Sequence, residues 1–279
     1  MAINWYPGHM AKTKRLLGEQ LKRVDLVIEL CDARLPYSSR NPDLGKMISG
    51  KEHILLLNKA DLADAEMTQK WLRFFRGEGM ETYAIQAKSL KPKESLKQIA
   101  DATKDAVERA AKKGINKTVR AMVVGVPNVG KSTYINRLHG GTIAKTGDMP
   151  GVTRANQWVK ITPYLELLDT PGLLWPRLDD QNAAIQLCFL GTVKDEILDL
   201  DDLAICLLND IAEIAPKSLE ECYHVNDLSL RGVELLEAVC RGRGFLLKGN
   251  EPDYERGCRV ALDEFRGGKM GRITLEIPV

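Results

Sequence analysis

The chain has 279 residues with 40 Lys and Arg against 38 Asp and Glu, so its formal net charge is only +2. A hydrophobic share of 44% and a charged share of 28% are typical of a globular protein and exclude disordered, collagenous and coiled-coil chains. No apolar run approaches the roughly 20 residues that span a bilayer, and the six scattered cysteines include no C-x-x-C pair. We therefore expect a cytoplasmic protein without a disulfide framework or a zinc site.

Strand and helix patterns alternate up to about residue 169. Short apolar runs, several of them apolar throughout, predict strands at 26–30, 54–57, 82–85, 119–124, 158–161 and 165–168. Amphipathic segments between them predict helices at 11–23, 66–77, 93–113 and 131–138. This alternation indicates an α/β fold with a mostly parallel sheet and helices on both faces.

Strand signals become rare after residue 176. The remaining patterns predict helices at 179–190, 194–208, 218–225, 233–242 and 251–265, followed by an extended segment at 272–277. We therefore expect two domains, residues 1–177 and residues 178–279, of which the second is small and all-helical.

Charge is distributed unevenly along the chain. Residues 1–178 carry a net charge of +11, residues 179–237 carry −11 and residues 238–279 carry +2. A basic surface attracts polyanions such as RNA, although solvated surface charge explains the same pattern. The candidate RNA contacts are Lys12, Lys14, Arg15, Lys22, Arg23, Arg241, Arg243, Lys248 and Arg256.

A phosphate-binding loop follows the fourth predicted strand. The sequence G-V-P-N-V-G-K-S begins at Gly125 and fits G-x-x-x-x-G-K-S/T between a strand and a helix. In this motif the glycines let backbone N–H groups surround phosphates, the lysine neutralises phosphate charge, and the serine hydroxyl binds Mg²⁺. The alternative is a chance glycine-rich turn, which the flanking elements disfavour. The expected nucleotide-binding residues are Pro127, Asn128, Val129, Gly130, Lys131, Ser132 and Thr133.

Two downstream segments complete the expected phosphate and metal site. The last strand ends in D-T-P-G, where Asp169 can hold Mg²⁺ and the Gly172 N–H can reach a γ-phosphate. Thr153 is suited to closing over the metal when the third phosphate is present, although it is also consistent with an ordinary turn threonine. We expect Ser132, Thr153 and Asp169 to bind Mg²⁺.

A base-selecting sequence, N-K-A-D, begins at Asn58 directly after the second predicted strand. The Asp61 carboxylate can accept two parallel hydrogen bonds from guanine, whereas adenine offers no such donor pair. Asn58 can tie loops together and the Lys59 stem can cover the base ring, although Asp61 is also consistent with a helix N-cap. Further on, Q-A-K resembles the S-A-K sequence whose backbone N–H groups contact guanine O6, which adds Ala87 and Lys88.

The order of these motifs is unusual. An ordinary GTPase places the phosphate loop first and the base-selecting motifs last, whereas here the base-selecting motifs come first. This order results if the N and C termini of an ordinary GTPase are joined near residues 114–118 and new termini are made after D-x-x-G. A sheet tolerates the change because the site consists of loops at strand ends. The cut leads Gly172 directly into the expected helical domain, which suggests a mechanical link between γ-phosphate and a partner surface.

Taken together, these motifs resemble the circularly permuted bacterial ribosome biogenesis GTPase A family. The resemblance covers essentially the whole chain and includes W-Y-P-G-H-M at 5–10, D-A-R-x-P-x-S-S-x-N-P at 32–42, and D-T-P-G-L-L-W-P at 169–176. It implies a circularly permuted P-loop GTPase domain followed by a helical bundle. The implied function is assistance in late assembly of the large (50S) ribosomal subunit. The expected partners are GTP or GDP and the 50S precursor with its rRNA and ribosomal proteins. No membrane partner is expected, and we expect a monomer.

Catalysis requires a group that the usual motif does not supply. Many small GTPases use a Gln after D-x-x-G to orient water, and here that position is Leu173, so slow intrinsic turnover is expected. The family suggests that His9 positions the water, although a histidine before a helix is more often a surface or capping residue. Related GTPases with an asparagine like Asn128 bind K⁺, and the alternative is a loop-stabilising hydrogen bond.

Three other functions compete with this interpretation. A metabolic P-loop kinase would transfer phosphate to a small molecule. A GTPase acting in tRNA modification or at a membrane would share the nucleotide motifs. A constitutive RNA-binding protein with a structural nucleotide would bind ribosomal particles equally with GDP and GTP.

Overall fold

The computed structural model describes residues 15–41, 44–48, 50–143, 157–170 and 180–278. Within these ranges six strands form one sheet in the order β3-β2-β1-β4-β6-β5, and only β5 is antiparallel to its neighbour. The strands are β1 (Leu26–Asp32), β2 (Glu52–Asn58), β3 (Glu81–Ala84), β4 (Val119–Val124), β5 (Gln157–Thr162) and β6 (Leu165–Asp169). The predicted, mostly parallel sheet is confirmed.

Helices flank the sheet and then follow it in sequence. Residues 15–21 are helical and are labelled α1. The other helices of the described ranges are α2 (Leu44–Met47), α3 (Ala65–Gly77), α4 (Pro92–Ala111), α5 (Lys131–His139), α6 (Gln181–Phe189), α7 (Leu200–Ile214), α8 (Pro216–Tyr223), α9 (Gly232–Gly242) and α10 (Tyr254–Gly267). Among the described residues, no helix has the length and apolar character needed to cross a membrane.

Both faces of the sheet are covered because its central strand is apolar on both sides. Every residue of β1 is buried, and successive side chains of a strand point to opposite faces. Leu26 and Ile28 share a core with α4 and α5, whereas Val27 packs with α1 and Cys31 with α3. The site at the carboxyl ends of the strands is therefore built on a rigid scaffold.

The helices after residue 180 share one apolar core, and we call residues 180–278 the helical region and residues 15–170 the sheet region. Leu207 of α7, Leu236 of α9 and Phe265 of α10 lie in this core, joined by Leu35 of the sheet region. The boundary expected between residues 177 and 178 lies outside the described residues, so the division into two domains stays a prediction.

The helix predicted at 194–208 exists, but its predicted bounds are wrong. The chain instead forms a 3-10 turn at Asp195–Ile197 and begins α7 at Leu200. The Asp199 side chain accepts hydrogen bonds from the N–H groups of Asp201 and Asp202, which caps α7 at its start.

The segment predicted as extended at 272–277 forms no strand within the described residues. Its N–H groups bond to loops of the sheet region instead: Ile273 donates to the Leu62 carbonyl at 3.1 Å and Leu275 to the Arg34 carbonyl at 2.9 Å. The end of the chain therefore packs on the sheet region.

Candidate nucleotide site

The phosphate loop joins β4 to α5, and two of its residues can only be glycine. Gly125 has φ +152°, and a Cβ there would lie 2.3 Å from the Leu30 carbonyl oxygen. Gly130 has φ +98°, and a Cβ there would lie 2.4 Å from Nδ2 of Asn58. The backbone therefore turns closely enough to present the N–H groups at the head of α5 to an anion.

Lys131 lies buried beneath this loop. Its Nζ donates to the carbonyls of Gly125 at 3.1 Å and Val126 at 2.9 Å. Burial lowers the pKa of Lys131 to about 8, while the Asp169 carboxylate acts in the opposite direction. An anionic phosphate would favour the charged lysine further, so the position suits a nucleotide.

Ser132 and Asp169 form the oxygen-rich part of the site. The Ser132 hydroxyl donates to Oδ2 of Asp169 at 3.1 Å. Oδ1 of Asp169 is buried and has no hydrogen-bond partner among the described residues, and burial raises the pKa of this carboxyl. Such hard oxygen donors fit Mg²⁺. The remaining ligands of the ion would include the nucleotide, water and the expected Thr153, which lies outside the described residues.

Asn58, at the end of β2, joins the two halves of the site. Its Nδ2 donates to the Val129 carbonyl of the phosphate loop at 2.6 Å. Its Oδ1 accepts from the Ala87 N–H at 2.9 Å. A guanine O6 that approached Ala87 would compete with this oxygen for the same N–H.

Lys59 and Asp61 follow Asn58 in the loop at the carboxyl end of β2. Lys59 has φ +59°, and its Nζ lies 3.0 Å from Oδ2 of Asp32. Burial opposes ionisation of Asp32, but Arg34 and Lys59 hold the pKa of this carboxyl well below its usual range. Asp61 is exposed and lines the adjoining cavity, where it can meet a base.

A cavity of about 820 Å³ lies between the sheet region and the helical region. Its lining includes eight of the predicted residues: Asn58, Lys59, Asp61, Ala87, Lys88, Asn128, Gly130 and Thr133. Pro127 and Val129 are buried within the loop. His9, Thr153, Gly172 and Leu173 lie outside the described residues.

The helical region supplies part of this cavity, which the sequence did not indicate. The turn after α6 and the end of α10 contribute, among others, Gly191 and Arg266. The Asn128 amide donates to the Gly191 carbonyl, and Arg266 donates to both oxygens of Asp195 at 2.7 and 2.8 Å. Gly191 has φ +67°, a conformation that the sequence could have signalled only as a glycine after a helix.

The role of Arg34 was also not predicted from the sequence. Its guanidinium pairs with both oxygens of Asp32 at 2.8 Å. It also donates to the carbonyls of Phe265 at 2.7 Å and Arg266 at 3.2 Å, at the end of α10. A fully buried arginine thus links Lys59 of the N-K-A-D loop, through Asp32, to the helical region.

The candidate RNA contacts that the structure describes are all exposed, but they lie in two separate groups along the chain. Arg15, Lys22 and Arg23 belong to α1 and the turn after it; Arg241, Arg243, Lys248 and Arg256 belong to the helical region. Lys12 and Lys14 lie outside the described residues.

The phosphate loop, the N-K-A-D loop and their inverted order on this sheet define a circularly permuted P-loop GTPase. The sequence profile described as 50S ribosome-binding GTPase matches residues 120–230. Ribosome biogenesis GTPase A from Bacillus cereus is 44% identical over all of this chain and 95% of its own length. The GDP-bound structure of TM YlqF superposes with a TM-score of 0.68 at 30% identity, covering 95% of this chain and 99% of that one.

A second solved structure, GNP-bound YlqF from T. maritima, gives a TM-score of 0.67 at 30% identity and covers 96% of this chain and 98% of that one. Since a relative well above 30% identity is matched along nearly its whole length, the chain belongs to the ribosome biogenesis GTPase A family.

Proposed function

We propose that this GTPase is an assembly factor for the large ribosomal subunit in the cytoplasm. It binds the 50S precursor with GTP, hydrolyses GTP when the particle stimulates it, and is then released. The observation that carries the nucleotide part is Asn58, which holds the base-selecting loop and the phosphate loop around one cavity. The names of the relatives support the ribosomal part.

In this proposal Asp61 accepts from guanine N1–H and the exocyclic amine, and Lys59 covers the base with its apolar stem. Ala87 and Lys88 bound the base, and the loop from Pro127 to Thr133 holds the phosphates together with the Gly172 N–H. Such a site rejects adenine because the desolvated Asp61 carboxylate would lack its donors.

Mg²⁺ fits the site because a buried Asp169 oxygen lacks a partner among the described residues and the Ser132 hydroxyl adjoins it. Ser132, Asp169 and Thr153 would hold it, and the ion would neutralise charge on the β- and γ-phosphates. We assign K⁺ to Asn128, whose side-chain oxygen would bind the cation and whose amide nitrogen donates to the Gly191 carbonyl.

Leu173 cannot hydrogen-bond water, and we assign the positioning of the attacking water to His9, as the family resemblance suggests. Turnover then depends on a partner that brings the N-terminal segment to the γ-phosphate. The exposed basic residues Arg15, Lys22 and Arg23 on one side, and those of the helical region on the other, suit two separate contacts with rRNA.

The test is GTP turnover by the purified protein in K⁺ buffer with and without 50S subunits. We expect a low basal rate that rises roughly tenfold or more with 50S subunits, since a group supplied in trans can accelerate hydrolysis strongly. Isolated 30S subunits control for a general RNA effect, and Lys131→Ala controls for contaminating GTPase. His9→Ala and Asn128→Ala, each in K⁺ and Na⁺, then separate the two catalytic groups.

Each alternative function predicts a different result. Tight guanine-nucleotide binding without stimulation by 50S would remove the ribosome as activator and favour tRNA modification. Phosphate transfer to a small molecule would indicate a kinase. Equal binding to 50S with GDP and with GTP would indicate an RNA-binding protein with a structural nucleotide.

A further inference from the structure

The end of the chain lies against the turn that carries Asp61. We call residues 272–276 the C-terminal brace. Arg272 donates from Nε to the Ala63 carbonyl at 2.8 Å and from Nη2 to the Ala60 carbonyl at 3.0 Å. One cationic side chain therefore spans the turn on both sides of Asp61.

The next two residues of the brace extend this contact. The Ile273 N–H donates to the Leu62 carbonyl at 3.1 Å. The Thr274 hydroxyl oxygen accepts from the Asp64 N–H at 3.1 Å. Four main-chain groups of the turn and its exit are therefore bonded to three consecutive residues from the far end of the chain.

The brace is itself anchored to the sheet region. The Leu275 N–H donates to the Arg34 carbonyl at 2.9 Å, and the Glu276 carbonyl accepts from the Trp71 indole at 3.0 Å. The Glu276 carboxylate accepts from the Tyr37 N–H at 2.6 Å. A segment fixed at both ends holds its partners in a defined position.

Asp61 depends on this support because its own side chain is exposed. A carboxylate that must accept two parallel hydrogen bonds needs its backbone fixed within a fraction of an ångström. Charge-assisted bonds from a guanidinium are stronger than neutral ones, so Arg272 makes the strongest contacts between the brace and this turn.

We propose that Arg272 is a positioning residue for guanine recognition: through the Ala60 and Ala63 carbonyls it fixes the turn that presents Asp61 to the base. The helical region thereby contributes to nucleotide specificity without contacting the base. This inference rests on the proposed role of Asp61 as the guanine-selecting residue.

The experiment compares Arg272→Ala with the unchanged protein by titration calorimetry with GDP and with IDP. The base of IDP lacks the exocyclic amine and offers Asp61 one donor instead of two. A displaced Asp61 therefore weakens GDP binding more than IDP binding. We expect Kd to rise about tenfold for GDP and about threefold for IDP, so discrimination between them narrows.

The matched control is Arg231→Ala. Arg231 is also an exposed arginine of the helical region that donates to two backbone carbonyls, those of Leu228 and Leu230. Its removal should change neither Kd. Arg272→Lys should restore part of the discrimination, because an ammonium group can still donate to these carbonyls. Thr274→Val provides a second, milder lesion in the brace, with a smaller change in the same direction.

Combining Arg272→Ala with Asp61→Ala distinguishes the proposed guanine-selecting role of Asp61 from the proposed positioning role of Arg272. If Asp61→Ala alone leaves the ratio of the GDP and IDP dissociation constants unchanged, the proposed role of Asp61 is wrong. If Asp61→Ala abolishes the discrimination but Arg272→Ala does not reduce it, the inference about Arg272 is wrong. Equal weakening of both nucleotides by Arg272→Ala would also overturn it. In the Asp61→Ala background, Arg272→Ala should have no further effect on the ratio.

Discussion

The two loops of the nucleotide cavity differ in what holds them in place. The phosphate loop lies within a single β4–loop–α5 unit, and its lysine bonds to carbonyls five and six residues earlier in the chain. The N-K-A-D loop is held by residues far away in sequence, including Ala87 and the C-terminal brace.

This difference separates phosphate binding from base selection. Contacts between adjacent residues fix most of the phosphate loop, and its distant bonds are those to Asn58 and to the Gly191 carbonyl of the helical region. A loop supported by residues more than 200 positions away takes its final geometry only when the helical region has docked. We therefore expect a change in the C-terminal brace to affect the N-K-A-D loop more than the phosphate loop.

The largest effect is expected within the phosphate loop itself. Gly125→Ala places a Cβ 2.3 Å from the Leu30 carbonyl oxygen at φ +152°, so backbone must move. We expect the free energy of unfolding to fall by about 4 kcal/mol and nucleotide binding to be lost. Urea unfolding and GDP titration measure both.

Gly140→Ala is the matched control for this change. Gly140 also has positive φ, +80°, but a Cβ there meets no heavy atom within 4 Å in the described part of the chain. Its cost should be about 1 kcal/mol, with GDP binding retained. Equal losses for both variants would mean that the close approach to Leu30 does not shape the loop.

Asn58→Ala tests the junction between the two loops. It removes the bond to the Val129 carbonyl and the bond from the Ala87 N–H. The Val129 carbonyl and the Ala87 N–H would then lack their hydrogen bonds to Asn58. We therefore expect the free energy of unfolding to fall by about 3 kcal/mol and GDP to bind more weakly. Asn209→Ala, which removes one acceptor for the Gly232 N–H, should cost about 1 kcal/mol and leave GDP binding unchanged. Retained GDP affinity in Asn58→Ala would show that the loops do not need this link.

Lys131→Met should have the smallest effect on stability, with the opposite sign. Burial lowers the pKa of Lys131 in the folded protein to about 8, below its unfolded value of about 10.4. Between these pH values the unfolded chain binds more protons than the folded one, so the stability of the unchanged protein rises with pH. Below about pH 8 the folded lysine is charged, and the full cost of burying that charge destabilises the protein. We therefore expect the nucleotide-free variant to be about 2 kcal/mol more stable at pH 7, although it no longer binds GTP.

Urea unfolding of the nucleotide-free proteins at two pH values checks this prediction. The advantage of Lys131→Met should shrink on going from pH 7 to about pH 9.5, because the unchanged lysine loses its proton in that range. An advantage that is independent of pH would contradict the assigned cause.

Much of the sheet region could be predicted from sequence. The strands β1, β2, β4 and β6 are mostly buried, as their largely apolar runs predict, and the structure has all six strands within a few residues of the predicted positions. Helix ends were harder, because side-chain caps decide them. Asp199 separates a 3-10 turn from α7 inside a segment that reads as one continuous helix.

The candidate site also contains residues that the sequence could predict and residues that it could not. The phosphate loop could be located from eight adjacent residues, because its chemistry requires those residue types at that spacing. The roles of Arg34 and Arg272 could not be predicted, because each acts through main-chain carbonyl groups that any residue supplies, and the D-A-R motif does not show what Arg34 contacts. The roles assigned to the individual nucleotide-binding residues, and to His9 above all, stay predictions.

The sequence by itself determined the class of fold and the position of the phosphate-loop and N-K-A-D motifs. These depend on residue types and short spacings, and hydrophobic burial acts on them locally. The tertiary structure alone decided that the helical region closes one side of the cavity and that Arg272 supports the turn of Asp61. Those contacts depend on how two hydrophobic cores dock, and directional hydrogen bonds to main-chain carbonyls then select one arrangement.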